Sequence, residues 1–193
     1  MLHLKLPTDP RWVNVAQKSL ADILSDHAYC EQKAASTCIS LIVQYADHSE
    51  LVDTLTPIVG EEWSHFERVV AELRKRNLPL APQRKDEYVG ELNKLLRKGG
   101  TKSEKLLDKL LCCALIEARS CERFKVLSKE LQDPELSKFY YEFMVSEARH
   151  YVAFISLAER YCPKETVRAR WQEFLEAEAQ IIQNLGYRPN RIH

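Results

Sequence analysis

Glycine is scarce in this chain, five in 193 residues, and no glycine-rich stretch of the kind that cradles a phosphate is present. Nor are there short alternating runs bounded by turn clusters, which argues against sheets and leaves long helical stretches as the dominant pattern. No apolar run reaches 18 residues, and the stretch from Met1 to Pro7 has no signal-peptide hydrophobic region, so a cytoplasmic protein without a membrane span is expected. The six cysteines (30, 38, 112, 113, 121 and 162) form no Cys-x-x-Cys pair. That excludes a zinc ribbon and gives no disulfide framework. Formal net charge is zero, so no global field draws the chain to nucleic acid. No nucleophile elbow or Ser-His-Asp arrangement is visible. With 45% hydrophobic and 29% charged residues, the length suits one domain over residues 1–193.

What the chain does have is charge in unusual places. Glu31 interrupts the helical stripe Leu24, Ala28, Ala35, Cys38, Ile42, and Glu117 interrupts Leu106, Leu110, Cys113, Cys121, Phe124. Each is followed by a Glu-x-x-His motif: Glu62 with His65, 31 residues after Glu31, and Glu147 with His150, 30 residues after Glu117. Positions i and i+3 lie on one helix face, so one helix offers a carboxylate and an imidazole to a single centre. One such motif is weak evidence, because it is usually a solvated surface pair. Two, each in phase with an apolar face and each paired with an upstream glutamate, point to a dinuclear metal site in a four-helix bundle. Charge supports this: four carboxylates balance two divalent cations, whereas four buried carboxylates without metal repel one another or take up protons. Oxygen and imidazole donors suit iron, with manganese possible, and iron so ligated activates dioxygen. Glu31 and His65 are expected on one metal and Glu117 and His150 on the other, with Glu62 and Glu147 bridging.

Helices are expected from Asp9-Pro10 to about Asp26, from His27 to about Tyr45 (possibly continuous with the first), and from Ser49 to Arg76, the last bent near Pro57 and Gly60 where a channel to the metals could open. A crossover helix should cover Asp86 to about Lys98 before the Gly99-Gly100 break. Three more are expected, from Thr101 or Ser103 to Leu131, from Asp133-Pro134 to Cys162, and from Lys164 to Leu185. The basic tail from Gly186 to His193 is expected to be mobile. His27 has two readings, a hydrogen-bond partner of Glu31 or, favoured, an exposed helix-start histidine. Trp63 and Arg149 face away from the ligands. Tyr140 and Tyr141 have two readings, a relay of electrons or protons near the cavity or, favoured, core packing, and the cysteines near the glutamates are expected to keep the pocket small and apolar. Eleven Lys/Arg stand against five Asp/Glu between Arg74 and Lys109, with Arg84, Lys85, Arg97, Lys98 and Lys102 as candidate phosphate contacts; a solvated helix face is the competing reading.

The stretches around Glu31 (residues 27–34), Glu62 and His65 (59–66), Glu117 (114–124), and Glu147 and His150 (146–151) closely resemble the MiaE-type tRNA hydroxylases. The resemblance implies an all-α, ferritin-like four-helix bundle with a crossover helix and additional terminal helices. It also implies a non-haem di-iron monooxygenase that hydroxylates the isopentenyl group of methylthio-isopentenyl-adenosine beside the tRNA anticodon. Such an enzyme uses O2 and an external electron donor. All six ligand positions of the family are present. A ferroxidase, iron-handling or peroxide-consuming protein built on the same dimetal site is the alternative.

Overall fold

The computed structural model describes residues 2–186, 191 and 192. Among the described residues there are seven helices: α1 (Trp12–Lys18), α2 (Leu20–Gln44), α3 (Ser49–Lys75), α4 (Glu87–Asn93), α5 (Lys102–Glu130), α6 (Pro134–Tyr161) and α7 (Lys164–Leu185). No strand occurs among the described residues. The chain divides into two compact units, residues 14–85 with 191 and 192, and residues 2–13 with 86–186.

The first unit is the hairpin of α2 and α3. Ile23, Leu24, Ala28, Ala35, Cys38 and Leu41 of α2 and Leu51, Leu55, Ile58, Val69 and Leu73 of α3 are buried at the i, i+3, i+4, i+7 spacing that gives each helix one apolar face. The short turn between them is held by Tyr45, whose ring meets His48 edge-on at 5.6 Å. At the far end α3 stops where Asn77 takes φ 55°, with Leu78 N–H donating to the Leu73 carbonyl at 2.9 Å and Asn77 N–H to Arg74 at 3.0 Å. This left-handed C-terminal motif tolerates asparagine because its side chain is short and polar. The bend expected at Pro57 and Gly60 does not break the helix: α3 is continuous, and both residues lie on its exposed face. The first boundary also differs, because α2 begins at Leu20 and runs unbroken through Asp26 and His27.

The second unit is the hairpin of α5 and α6 with α4 and α7 laid against it. Thr101 caps α5 in a reciprocal box, its hydroxyl accepting from Glu104 N–H at 3.2 Å and its own N–H donating to the Glu104 carboxylate at 2.8 Å. Asp133 caps α6, accepting from the amides of Glu135 (2.9 Å) and Leu136 (3.2 Å), with Pro134 in the first turn. Asp133→Ala should cost about 1 kcal/mol and lower the melting temperature by about 2–4 °C, read by thermal unfolding. Phe124, Phe139, Tyr140 and Phe143 form one aromatic cluster, with neighbouring centroids 4.6–6.0 Å apart. Tyr141, expected inside, is instead 56% exposed.

Two buried ion networks tie the outer elements to α5. Arg119 is fully buried. It donates to Glu178 of α7 from Nε (2.8 Å) and Nη2 (2.7 Å), to Glu122 (3.0 Å) and to the Leu6 carbonyl (2.9 Å). Tyr88 of α4 adds its hydroxyl to Glu178 at 3.3 Å. Asp108, also fully buried, accepts from Arg170 Nε (2.9 Å) and Nη2 (3.0 Å) and from the Arg97 amide (2.8 Å). That last bond explains why α4 ends at Asn93 rather than Lys98: residues 94–97 turn away to meet α5. The tail expected to be mobile from Gly186 to His193 includes residues 187–190 and 193, which lie outside the described residues. Arg191 and Ile192 are anchored, donating to the Asp26 carboxylate at 2.7 and 2.8 Å.

Candidate metal centre

In the α2–α3 unit, the apolar faces that close the hairpin carry Glu31, Glu62 and His65 inward with them. Glu31 is 4% exposed, Glu62 1% and His65 6%. His65 turns Nδ1 towards both carboxylates, 3.2 Å from Glu31 Oε2 and 3.7 Å from Glu62 Oε2. In the α5–α6 unit the same construction places Glu117, Glu147 and His150, each below 5% exposure. Within each trio one ligand atom per residue lies within 4.8 Å of the others. A cation bound at roughly 2.0–2.4 Å to each donor needs no larger separation. Two carboxylates and an imidazole are a donor set for a divalent metal, and each trio fits one.

The electrostatics of the first trio agree. Burial, and next the charge of Glu62, push the Glu31 carboxyl above its ordinary range. Burial alone would lower His65, but its hydrogen bonds to Glu31 and Glu62 outweigh that and raise it to about 9. Without metal this cluster therefore retains protons at neutral pH. A divalent ion must displace the proton on His65, so apparent metal affinity should rise with pH from about 7 towards 9. Calorimetric titrations in buffers of different ionisation enthalpy should show proton release on binding. A pH-independent affinity with no release would contradict the assignment of His65 Nδ1 to the metal side.

His27 is where the favoured sequence reading fails. It is fully buried, and its Nε2 lies 2.7 Å from Glu31 Oε1. Burial, and next the charge of His65, lower its pKa to about 3, so it is neutral. The available signal was its place one turn before Glu31, in a helix that the local pattern wrongly started there. Trp63 and Arg149 do face outward, Trp63 being 46% exposed and leaning on Phe66 at 5.0 Å. Cys38, Cys113 and Cys121 are buried thiols at whole-turn spacings from the glutamates. Among the proposed phosphate contacts, Arg84 lies 3.6 Å from Asp22, and Arg97 lies 3.5 Å from Glu104 and 3.7 Å from Asp108. Lys85, Lys98 and Lys102 are exposed.

Compared with known proteins, residues 1–193 match the family described as tRNA-(MS[2]IO[6]A)-hydroxylase (MiaE). The chain belongs to the MiaE family. Within reach of that family it is 39% identical to the tRNA 2-(methylsulfanyl)-N(6)-isopentenyladenosine(37) hydroxylase of Pseudomonas putida, over 94% of this chain and 87% of that protein. The protein of the same name from Salmonella typhimurium is 31% identical over 93% of this chain and 83% of its own length. Among solved structures, "Protein 43 with aldehyde deformylating oxygenase activity from Synechococcus" matches with TM-score 0.92 and 34% identity, over 98% of this chain and 94% of that one. The MiaE chain is thus all-α and ferritin-like in fold, as its helix pattern implied. No helix among the described residues is long and apolar enough to cross a membrane.

Proposed function

We propose that this chain hydroxylates the isopentenyl group of 2-methylthio-isopentenyladenosine in tRNA, as a di-iron monooxygenase acting as one ferritin-like domain. The observation that carries the reading is the duplicated trio of buried donors, Glu31, Glu62 and His65 repeated as Glu117, Glu147 and His150, in a chain of the MiaE family. In this reading Glu31 and His65 would hold one iron and Glu117 and His150 the other, with Glu62 and Glu147 supplying the remaining carboxylates. When bound, the irons supply dioxygen activation: O2, two external electrons and two protons convert a C–H bond to C–OH and release one water. Manganese fits the same donors, and iron is favoured by that chemistry.

The protein's own part is to bind, orient and exclude. None of the six ligands is more than 6% exposed, so the reacting carbon must come to a site shielded from bulk water. A flexible prenyl tail can reach such a depth while the base and ribose stay outside. The buried thiols of Cys113 and Cys121, one turn either side of Glu117, surround that ligand with small, weakly polar groups; burial pushes the Cys121 thiol up to about 11, which keeps it uncharged. Lys85, Lys98 and Lys102, which are exposed, are the phosphate contacts we favour over the half-buried Arg84 and Arg97. The reductant is a separate protein or small molecule, and the reaction needs no membrane. A cytoplasmic location accords with a tRNA substrate.

The test is a single turnover of iron-loaded, chemically reduced protein with O2 and tRNA carrying the methylthio-isopentenyl nucleoside, followed by nucleoside mass analysis. One added oxygen on that nucleoside is expected. The Synechococcus structure motivates a parallel arm with an aldehyde. Aldehyde consumption with unmodified tRNA would replace the proposal by that second activity, and iron oxidation with neither product would leave an iron-handling protein.

A further inference from the structure

Trp63 follows Glu62 and precedes His65 by two residues on α3, yet it is exposed where they are buried. With 3.6 residues per turn, its side chain leaves the helix about 100° from that of Glu62. The positions one turn away divide by side. Val59 and Phe66, both half-buried, lie between Trp63 and the edge that carries Glu62 and His65, whereas Gly60 and Glu67, both exposed, lie on the outer flank. Helical side chains lean towards the N-terminus. Phe66 accordingly leans back on Trp63, with ring centroids 5.0 Å apart and planes at 34°, and Trp63 in turn leans over the turn that holds Val59 and Gly60. The place where a Cβ of Gly60 would stand is open, with nothing within 4 Å. Glycine is a poor residue in the middle of a helix, and here neither close packing nor a positive φ requires it. The indole is thus braced by a ring on its inner side and left with room on its outer side.

We propose that Trp63 is the platform on which the adenine ring of the substrate nucleoside stacks, over the space left by Gly60, while the isopentenyl chain runs across Val59 and Phe66 towards Glu62 and His65. The inference rests on the tRNA-substrate reading above and deepens it by placing the base. On a helix about 10–12 Å across, side chains 100° apart end about 8–9 Å from each other. Half a purine and its extended isopentenyl substituent cover a comparable span. Bases of single-stranded RNA loops are bound by stacking on aromatic side chains, which replaces the stacking they give up on leaving the loop. Phe66 holds the indole in one orientation, so little side-chain freedom is lost when the base arrives. The apolar strip beyond it takes the prenyl chain by burial, which suits a hydrocarbon and leaves polar recognition to the ring.

Binding of three anticodon stem–loop RNAs to the iron-loaded, oxidised protein tests this without requiring turnover. One RNA carries the methylthio-isopentenyl nucleoside, one carries unmodified adenosine and one has no base at that position. Wild-type protein should bind them in that order of affinity. Trp63→Ala should weaken binding of the modified RNA by about 5–150-fold, the range for one lost base–aromatic stack, and leave the abasic RNA unchanged. Trp63→Phe should recover most of the loss. Gly60→Leu, which favours the helix but fills the space beside the indole, should act like Trp63→Ala. Neither position is a proposed metal ligand, so iron content and circular dichroism should match the wild type. Equal weakening of the modified and abasic RNAs by Trp63→Ala would overturn the proposal, as would unchanged affinity for the modified RNA in either Trp63→Ala or Gly60→Leu. Unchanged RNA affinity joined to slow turnover with a protein reductant, but not with a chemical one, would give the indole to a redox partner instead. Should wild-type protein bind none of the three RNAs and hydroxylate none, the tRNA reading itself fails, and the two failures are thereby separated.

Discussion

Glu62→Ala and Glu147→Ala should each abolish turnover and bind less than the two equivalents of iron taken up by the wild type, with helix content unchanged. Each glutamate is buried in the middle of a long helix, and alanine has the higher helix propensity, so the backbone loses nothing. What is lost is a carboxylate ligand of the proposed metal site. Metal-free Glu62→Ala should be no less stable than metal-free wild type, because the charge of Glu62 raises the cost of ionising Glu31. Iron should then separate the proteins. At iron 100-fold above its dissociation constant, a ligand that binds only the folded state adds about 2.7 kcal/mol. For a domain of this length that raises the melting temperature by about 5–11 °C. Wild type should show the rise and the two variants should not. Normal turnover in either variant would overturn the ligand assignment.

Arg119→Met should be the most destabilising single substitution away from the metal ligands. It leaves Glu178 fully buried without its guanidinium partner and frees the Leu6 carbonyl and Glu122 from the same group. Breaking a buried pair from one side costs about 3–5 kcal/mol, which is about 6–20 °C in melting temperature here. The loss has a pH signature. Burial raises the Glu178 carboxyl even with Arg119 present, and Arg119 works against that rise. Without the arginine the folded-state pKa climbs further above the unfolded value of 4.5, so the folded form favours the protonated acid. The deficit should therefore be larger at pH 7 than at pH 5. Combining it with Glu178→Leu should recover most of the stability, since the buried charge is gone with its partner. An equal deficit at both pH values would show that Glu178 is not the group responsible.

Both networks bear on what a one-dimensional reading can see. The trios were legible because the signal is local: a charged residue on an apolar helical stripe, repeated at near-equal spacing with histidine at i+3. Glu178 carries the same first signal, lying one and two turns beyond Phe174 and Trp171, and yet its partner is an arginine 59 positions away. An inward glutamate alone does not distinguish a metal ligand from half of a buried ion pair; the histidine on the same face does. Helix ends were legible where chemistry marks them, as at Thr101 and at Asp133-Pro134. They were not legible at Ser19, which makes no side-chain cap bond, or at Asn93, where a carboxylate from α5 redirects the chain. His27 was misjudged because its partner lies inside the packed hairpin. Burial and partnership are properties of the packed helices, and a histidine or an arginine looks alike in sequence whether it is solvated or held.

The outward turn of Trp63 gives the molecule an optical handle. Of the three tryptophans, Trp12 and Trp171 are 2% and 7% exposed, and only Trp63, at 46%, meets water substantially. Iodide or acrylamide should therefore quench a red-shifted component of the fluorescence that belongs to Trp63. Because its neighbours along α3 are Glu62 and His65, a paramagnetic ion held by those two residues should dim that same component through energy transfer. On the metal-site reading, α3 thereby carries its own indicator of occupancy, readable in solution without a label.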